Sequence, residues 1–186
     1  NRDASNLMYR FDKTKHVEKA PDDLTRFVLG IDLGSSATAA TTAFVLLGYR
    51  NTGKGIWVVS STKEPNMSPD TIANRIETYQ STRKIDRIVC DAGGLGGGYV
   101  RFFRESRSLP VEEAEKRDKA GSVELCSGDF DAGRIKIDPG CTALLAEIEI
   151  LPWNDKHSDS APGCADHCVD AFLYSWRAAT AYANEE

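Results

Sequence analysis

Two apolar segments that each end in an aspartate are the feature that most constrains the fold. "RFVLGID" ends at Asp32, and "IDRIVCD" ends at Asp91. Apolar runs of this length, followed closely by glycines, are typical of strands buried inside a sheet. Two carboxylates that lie close together repel each other, and burial adds a desolvation cost. We therefore expect both strands to end where a ligand can reach their acids, beyond the strand ends of a sheet.

The other segments place these strands in a mixed sheet. "TTAFVLLGY", residues 41–49, and "GIWVVSSTK", residues 55–63, follow the first strand and predict an antiparallel three-strand meander. The strand at 85–91 and a short fifth strand at 109–115 come after intervening helical patterns, whereas 133–138 is predicted only as an extended piece. Helices are predicted from Pro69 onwards, after a Ser68 cap, and at 95–106, 117–131, 142–150 and 164–183. The chain is thus predicted to be an α/β protein with a mixed five-stranded sheet flanked by helices.

Residues 1–25 are polar, charged and weakly periodic, which predicts a linker or docking extension before a domain at 26–186. The chain begins with Asn1 and shows no signal-peptide pattern, so we interpret it as a fragment or a processed chain. No apolar run approaches the roughly 20 residues needed to span a bilayer. The net charge of −5 implies that any contact with nucleic acid uses local basic patches.

A third candidate acid lies in the final helix, in "DHCVDAF". Asp166 and Asp170 are four residues apart and share one helical face, with His167 three residues before Asp170. Apolar neighbours place Asp170 near the core boundary, whereas Asp166 also fits a solvated face and His167 a structural role. A divalent cation would remove the repulsion between Asp170, Asp32 and Asp91, and carboxylate oxygens suit Mg²⁺ or Mn²⁺.

Three motifs in this order resemble the nuclease domain of the large terminase subunit of tailed bacteriophages. They are "GIDLG", "IVCDAGGLGGG" and "DHCVDAFLYSWR", and the resemblance covers residues 26–180. It implies an RNase H-like fold and a metal-dependent DNA endonuclease that cuts concatemeric viral DNA during genome packaging. It implies Asp32, Asp91 and Asp170 as metal-binding acids. Asp166 falls in the same acidic cluster, and His167 matches a position where some relatives carry histidine.

The resemblance also implies cofactors, partners and a location. Two Mg²⁺ or Mn²⁺ ions about 4 Å apart would activate water and stabilise the departing oxygen. We expect Asp32 to bridge them, Asp91 and Asp170 to hold one each, and His167 to shuttle a proton or orient Asp170. The expected partners are double-stranded DNA, an upstream packaging ATPase, the small terminase subunit and the portal, in the cytoplasm of the infected bacterium.

Basic residues near the expected site are candidates for DNA binding. Lys116 and Lys119 follow the fifth strand, near the predicted mouth of the site, and are the stronger candidates for phosphate contact. Arg101 and Arg104 alternate with aromatic residues on a predicted helix. These two arginines fit either DNA contact or a solvated helix face.

Three alternatives remain open from the sequence. Another RNase H-like nuclease, such as a junction resolvase or an integrase core, shares the early and late acids. "GIDLG" also occurs as a phosphate loop in the actin and heat-shock ATPase superfamily, which needs two duplicated halves and a longer chain. A packaging-motor or portal docking module with a dead active site is the non-enzymatic alternative, and the intact set of three acids argues against it.

Overall fold

The computed structural model describes residues 4–34, 40–94 and 96–183. Leu95, inside the predicted glycine-rich turn, lies outside the described residues. The strands are β1 (Arg26–Asp32), β2 (Thr41–Tyr49), β3 (Ile56–Pro65), β4 (Arg87–Cys90), β5 (Val111–Glu113) and β6 (Ile135–Ile137). The α-helices are α1 (Lys13–His16), α2 (Pro69–Thr82), α3 (Gly96–Glu105), α4 (Lys119–Asp131), α5 (Thr142–Ile148) and α6 (His167–Ala183).

The strands form one mixed sheet in the order β5-β4-β1-β2-β3-β6. β1, β2 and β3 pair antiparallel, whereas β4 and β5 extend the sheet in parallel from β1. The predicted fold class and meander are therefore confirmed. The strand count differs by one, because β6 pairs in parallel with β3 at Ile56–Val58. With only three residues, β6 has too little periodicity to be identified as a strand without its partner.

Helices cover both faces of the sheet. Alternate residues of β1 point to opposite faces, so Leu29 and Ile31 pack with α2 and α3, whereas Val28 packs on the side of α4, α5 and α6. This burial on both sides explains why β1 is apolar along almost its whole length. By the same alternation, Asp32 follows Val28 and Gly30 onto the α6 face.

Helix α6 lies unusually close to the centre of the sheet. A Cβ atom added at Gly30 would fall well inside the van der Waals distance of the Ala171 carbonyl oxygen. It would also lie 2.9 Å from Cβ of Ser175. Glycine on the strand and small residues on the helix thus permit the close approach that brings the start of α6 to the end of β1.

Part of residues 4–25 packs against the sheet and its helices. Met8 and Tyr9 are 2% and 1% exposed and belong to the core on the α6 side. His16 is buried, and its Nε2 lies 2.8 Å from the carbonyl oxygen of Phe130. These residues form only two short helices, a 3₁₀ helix at Ala4–Asn6 and α1, and isolated bridges, so the sequence shows no repeating pattern there. The domain boundary at residue 26 stays a prediction, and the contacts join residues 7–17 to the same core.

Within the residues that the structure describes, no helix has the length and apolar character required to cross a membrane.

The close approach at Gly30 predicts a position-specific cost. Gly30→Ala should lower the free energy of unfolding by about 1–3 kcal/mol, because the added methyl group pushes α6 away from β1. Urea unfolding followed by circular dichroism measures this change.

Gly128→Ala provides the matched control on α4. Apart from neighbouring residues of the same helix, no atom of the described residues lies within 4 Å of a Cβ atom at this exposed position. The substitution should stabilise the protein by about 0.5–1 kcal/mol, since alanine loses less backbone entropy than glycine in a helix. Equal effects of the two substitutions would contradict the close-packing explanation.

Candidate functional site

The aspartates that end the two apolar segments lie side by side. Ile31 of β1 is in register with Cys90 of β4, and the backbone N–H of Asp91 donates to the carbonyl oxygen of Ile31 at 3.2 Å. The strands are parallel, so both chains leave the sheet at the same edge. Alternation along each strand puts the side chains of Asp32 and Asp91 on the face covered by α6.

The first turn of α6 brings two more functional candidates to this edge. Nδ1 of His167 lies 2.9 Å from Oδ2 of Asp32. Burial raises the pKa of Asp32 and the hydrogen bond to His167 opposes that rise, whereas the same hydrogen bond raises the pKa of His167. We expected His167 to orient Asp170, but its imidazole contacts Asp32 instead.

Asp170 is the acid with the most perturbed ionisation. Burial raises its pKa to about 7, the ammonium of Lys119 opposes the rise, and the charge of Asp32 adds to it. Nζ of Lys119 lies 2.9 Å from Oδ1 of Asp170. This oxygen is buried, so the ammonium group of Lys119 is the charge that offsets it. A buried carboxylate with a raised pKa and a cationic partner is a feature expected at a functional site.

Two lysines form ion pairs with these acids. Lys116 binds Oδ1 of Asp91 at 2.8 Å, and Lys119 also binds Asp159 at 2.5 Å. Both lysines, together with Asp91 and Asp170, line one open cleft of about 290 Å³. The two stronger predicted DNA contacts therefore lie at the candidate site, although Lys119 is only 22% exposed and Lys116 is 48% exposed.

The other three predicted site residues have different surroundings. Oδ2 of Asp166 accepts a hydrogen bond from the hydroxyl of Ser160 at 2.5 Å, and its charge helps to raise the pKa values of Asp32 and Asp170. Arg101 and Arg104 lie on α3. Arg101 forms an i,i+4 ion pair with Glu105, and Arg104 donates to the carbonyl oxygen of Val111. Both arginines are thus engaged in contacts within their own part of the fold.

Residues at the site that the sequence analysis missed include Tyr174 and Asp159. The hydroxyl of Tyr174 lies 3.4 Å from Oδ2 of Asp91, and burial followed by the charges of Asp170, Asp32 and Asp91 raises its pKa. Its spacing of four residues from Asp170 was a usable signal. Asp159 lies in the loop before α6, where polar residues are common and nothing distinguishes one that reaches a lysine.

The donor atoms at this edge suit a hard divalent cation. Three carboxylates from β1, the end of β4 and α6 converge, and burial together with their charges raises the pKa of Tyr174. Among residues 4–34, 40–94 and 96–183, no three acidic, histidine or cysteine side chains already form a metal-ligand group. The residues present thus fit Mg²⁺ or Mn²⁺ by chemistry, and the ammonium groups beside Asp91 and Asp170 would have to move for these acids to bind one.

Family membership follows from a match over most of the chain. Residues 29–177 match the family described as the terminase RNaseH-like domain. The chain belongs to this terminase family. The match begins inside β1 and ends inside α6, so it contains Asp32, Asp91 and Asp170. A comparison with curated protein sequences gave no significant match.

Solved terminase structures share the fold of this terminase domain. The large terminase of a thermophilic bacteriophage, solved in complex with ATP-gamma-S, has a TM-score of 0.75 and 17% identity, covering 91% of this chain and 44% of that chain. The g2p (large terminase) nuclease domain of bacteriophage SPP1 with bound Mn has a TM-score of 0.62 and 23% identity, covering 88% and 95%. The large terminase nuclease of thermophilic phage G20c with bound magnesium has a TM-score of 0.69 and 12% identity, covering 94% and 98%.

These likenesses confirm the RNase H-like terminase nuclease fold. They also show that this chain spans less than half of the large terminase solved with ATP-gamma-S, and nearly all of the SPP1 and G20c nuclease domains.

The raised pKa of Asp170 predicts that the free energy of unfolding depends on pH. The folded pKa of about 7 exceeds the ordinary value of 3.8, so the folded state holds the proton more tightly than the unfolded state. Relative to Asp170→Asn, the wild type should lose up to about 1.4 kcal/mol of stability for each pH unit between about 4 and 7. Urea unfolding across this range, with a chelator present, measures the difference.

Asp155→Asn, at an exposed loop position, is the control for this series. Its stability difference from the wild type gives the baseline for the same pH range. A difference for Asp170→Asn that does not change with pH relative to this baseline would contradict the raised pKa.

Proposed function

We propose that this domain is a metal-dependent endodeoxyribonuclease that cuts concatemeric phage DNA during genome packaging. The observation that carries the proposal is the convergence of Asp32, Asp91 and Asp170 at one edge of the sheet, where Asp170 is buried against the ammonium group of Lys119. The fold adds support, because the similar SPP1 and G20c nuclease domains hold Mn and magnesium.

The three acids would hold two Mg²⁺ or Mn²⁺ ions, with Asp32 between them. Bound divalent ions activate water and stabilise the departing oxygen of a phosphodiester. Asp32 suits the shared position because it ends the strand between β4 and β2, and its side chain is 9% exposed. Asp91 at the end of β4 and Asp170 on α6 lie near it, since, beyond the effect of burial, Asp91 raises the pKa of Asp32 and Asp32 raises the pKa of Asp170, and Asp166 adds negative charge nearby.

His167 would transfer a proton at the site. Its Nδ1 is engaged with Asp32, which fixes the ring orientation, and its side chain is 36% exposed. Nε2 is therefore the nitrogen that can exchange a proton with water at the site. A histidine oriented by a carboxylate in this way is suited to proton transfer near neutral pH.

Substrate binding would use the basic residues around the cleft. Lys116, Lys119 and Arg177 line it, in a chain whose net charge is −5. Phosphate contacts are then local, and the remaining acidic surface disfavours DNA elsewhere. Arg101 and Arg104 on α3 would extend this surface only if their present contacts were exchanged for phosphates.

The wider assembly is inferred from the relatives. The large terminase solved with ATP-gamma-S is more than twice as long as the part of it that this chain matches. We infer that this domain follows a packaging ATPase in its own large terminase and meets double-stranded DNA, the small subunit and the portal. These encounters would take place in the cytoplasm of the infected bacterium.

Asp32→Asn should abolish DNA cleavage while the fold persists. The substitution removes the charge at the shared position of the metal site, and a neutral amide oxygen is a weaker ligand for Mg²⁺ or Mn²⁺. The measurement is nicking and linearisation of supercoiled plasmid with Mn²⁺ or Mg²⁺, checked by circular dichroism for retained secondary structure.

Asp22→Asn, at an exposed position before β1, is the matched control and should cut like the wild type. A chelator should stop both active proteins. Cleavage by Asp32→Asn near the wild-type rate would rule out its metal role, and preferential cutting of branched DNA would favour a junction resolvase.

Lys116→Met should weaken DNA binding and reduce its salt dependence. Loss of one phosphate contact is expected to reduce the slope of log K against log [salt] by about 1. Fluorescence anisotropy with labelled duplex DNA and a chelator measures this slope. Lys54→Met, on the exposed β2–β3 turn, is the control, and an unchanged slope for both variants would remove Lys116 from the DNA-binding surface.

A further inference from the structure

Glu147 is a buried acid outside the catalytic set. It lies at the end of α5 and is 3% exposed. Its Oε1 accepts hydrogen bonds from the backbone N–H groups of Cys168 and Val169, at 2.9 and 3.1 Å. Its Oε2 binds Nζ of Lys63 at 2.8 Å. One oxygen of this buried carboxylate therefore contacts the start of α6, and the other contacts a strand of the sheet.

The contact with α6 supplies a cap from another helix. The first N–H groups of any helix lack intrahelical partners, and a negative charge at this end is favourable. Asp166, the residue before α6, directs its side chain to Ser160. Glu147 thus satisfies amides of the first turn of α6, which lie between His167 and Asp170 in the chain.

Lys63 connects this cap to β3, which lies two strands away from β1 and its Asp32. Asp32 is in register with Ala43 of β2, and Ala43 is in register with Lys63 of β3. Residues directly opposite each other in a sheet point to the same face. The start of α6 is therefore held at two places along one row of the sheet, by Asp32 through His167 and by Lys63 through Glu147.

We propose that Glu147, oriented by Lys63, is a positioning residue that sets where His167 and Asp170 stand relative to Asp32. Two hydrogen bonds from backbone amides and one ion pair fix the first turn of α6, so Asp170 can share cations with Asp32 and Asp91. The inference rests on the proposed nuclease function. It concerns residues that need not touch the metal, DNA or the reacting phosphate.

The test compares Mn²⁺ binding by the wild type, Glu147→Gln and Glu147→Ala. Loss of residues that orient metal ligands typically costs about 10–100-fold in metal affinity, and Glu147→Ala should fall in this range. Glu147→Gln keeps an oxygen that can accept hydrogen bonds but loses the ion pair. Its Mn²⁺ affinity should therefore fall less than that of Glu147→Ala. Titration of free Mn²⁺ by electron paramagnetic resonance gives the affinities, and hydrogen exchange of the Cys168 and Val169 amides should accelerate most in Glu147→Ala.

Two controls separate positioning from general loss of stability. Lys63→Arg preserves the ion pair and should bind Mn²⁺ like the wild type, whereas Lys63→Met should resemble Glu147→Gln. Ile76→Ala lowers stability from α2, in the core on the opposite face of the sheet, and should leave Mn²⁺ affinity unchanged. An equal loss of affinity in Ile76→Ala and Glu147→Ala would overturn the proposal.

The proposed function and this inference fail in different ways. If the wild type neither binds Mn²⁺ nor cuts DNA, the nuclease function is wrong. If the wild type binds Mn²⁺ and both Glu147 variants bind it equally well, the positioning role is wrong and the nuclease function stands.

Discussion

The packing of α6 onto β1 is the contact on which the site depends. Asp32 and Asp91 converge through strand pairing alone, because β1 and β4 are adjacent and parallel. Asp170 is separated from Asp32 by well over half of the chain, and only the approach of α6 at Gly30 brings it to the same edge. The apolar body of α6 stabilises this position, since most of its described side chains are buried. The helix therefore joins the folding of the core to the assembly of the site.

The sequence predicted most of this arrangement because long elements carry strong patterns. β1, β2 and α6 are each long and mostly apolar. Asp32 ends β1, Asp170 lies in the first turn of α6, and Asp91 follows the shorter apolar strand β4. β6, with three residues, and the packed segment around Met8 and Tyr9 have no comparable repeat and depend on contacts with distant residues. Propensity and periodicity are local, so they cannot show such contacts.

The same limit explains what was missed at the site. The spacing in "DHCVDAF" placed His167 and Asp170 on one helix, but only the structure shows the imidazole against Asp32. Lys63, Glu147 and Asp159 lie in three different elements, and each is an ordinary charged residue in the sequence. Their importance comes from pairing across the fold, which spacing along the chain does not encode. Glu147 in particular occupies a helix end where a solvated acid would be expected.

The charges at the site are arranged so that the acids can fold together. Carboxylates gathered at one edge repel each other and lose hydration, and a protein can offset this with a bound cation or with its own ammonium groups. Here Lys116 and Lys119 lie against Asp91 and Asp170, and His167 lies against Asp32. The protein's own cations therefore offset part of this repulsion, in contrast to small domains whose folding free energy comes from metal binding. The same lysines line the cleft, so a divalent cation that took their place at Asp91 and Asp170 would free their ammonium groups for an anionic ligand.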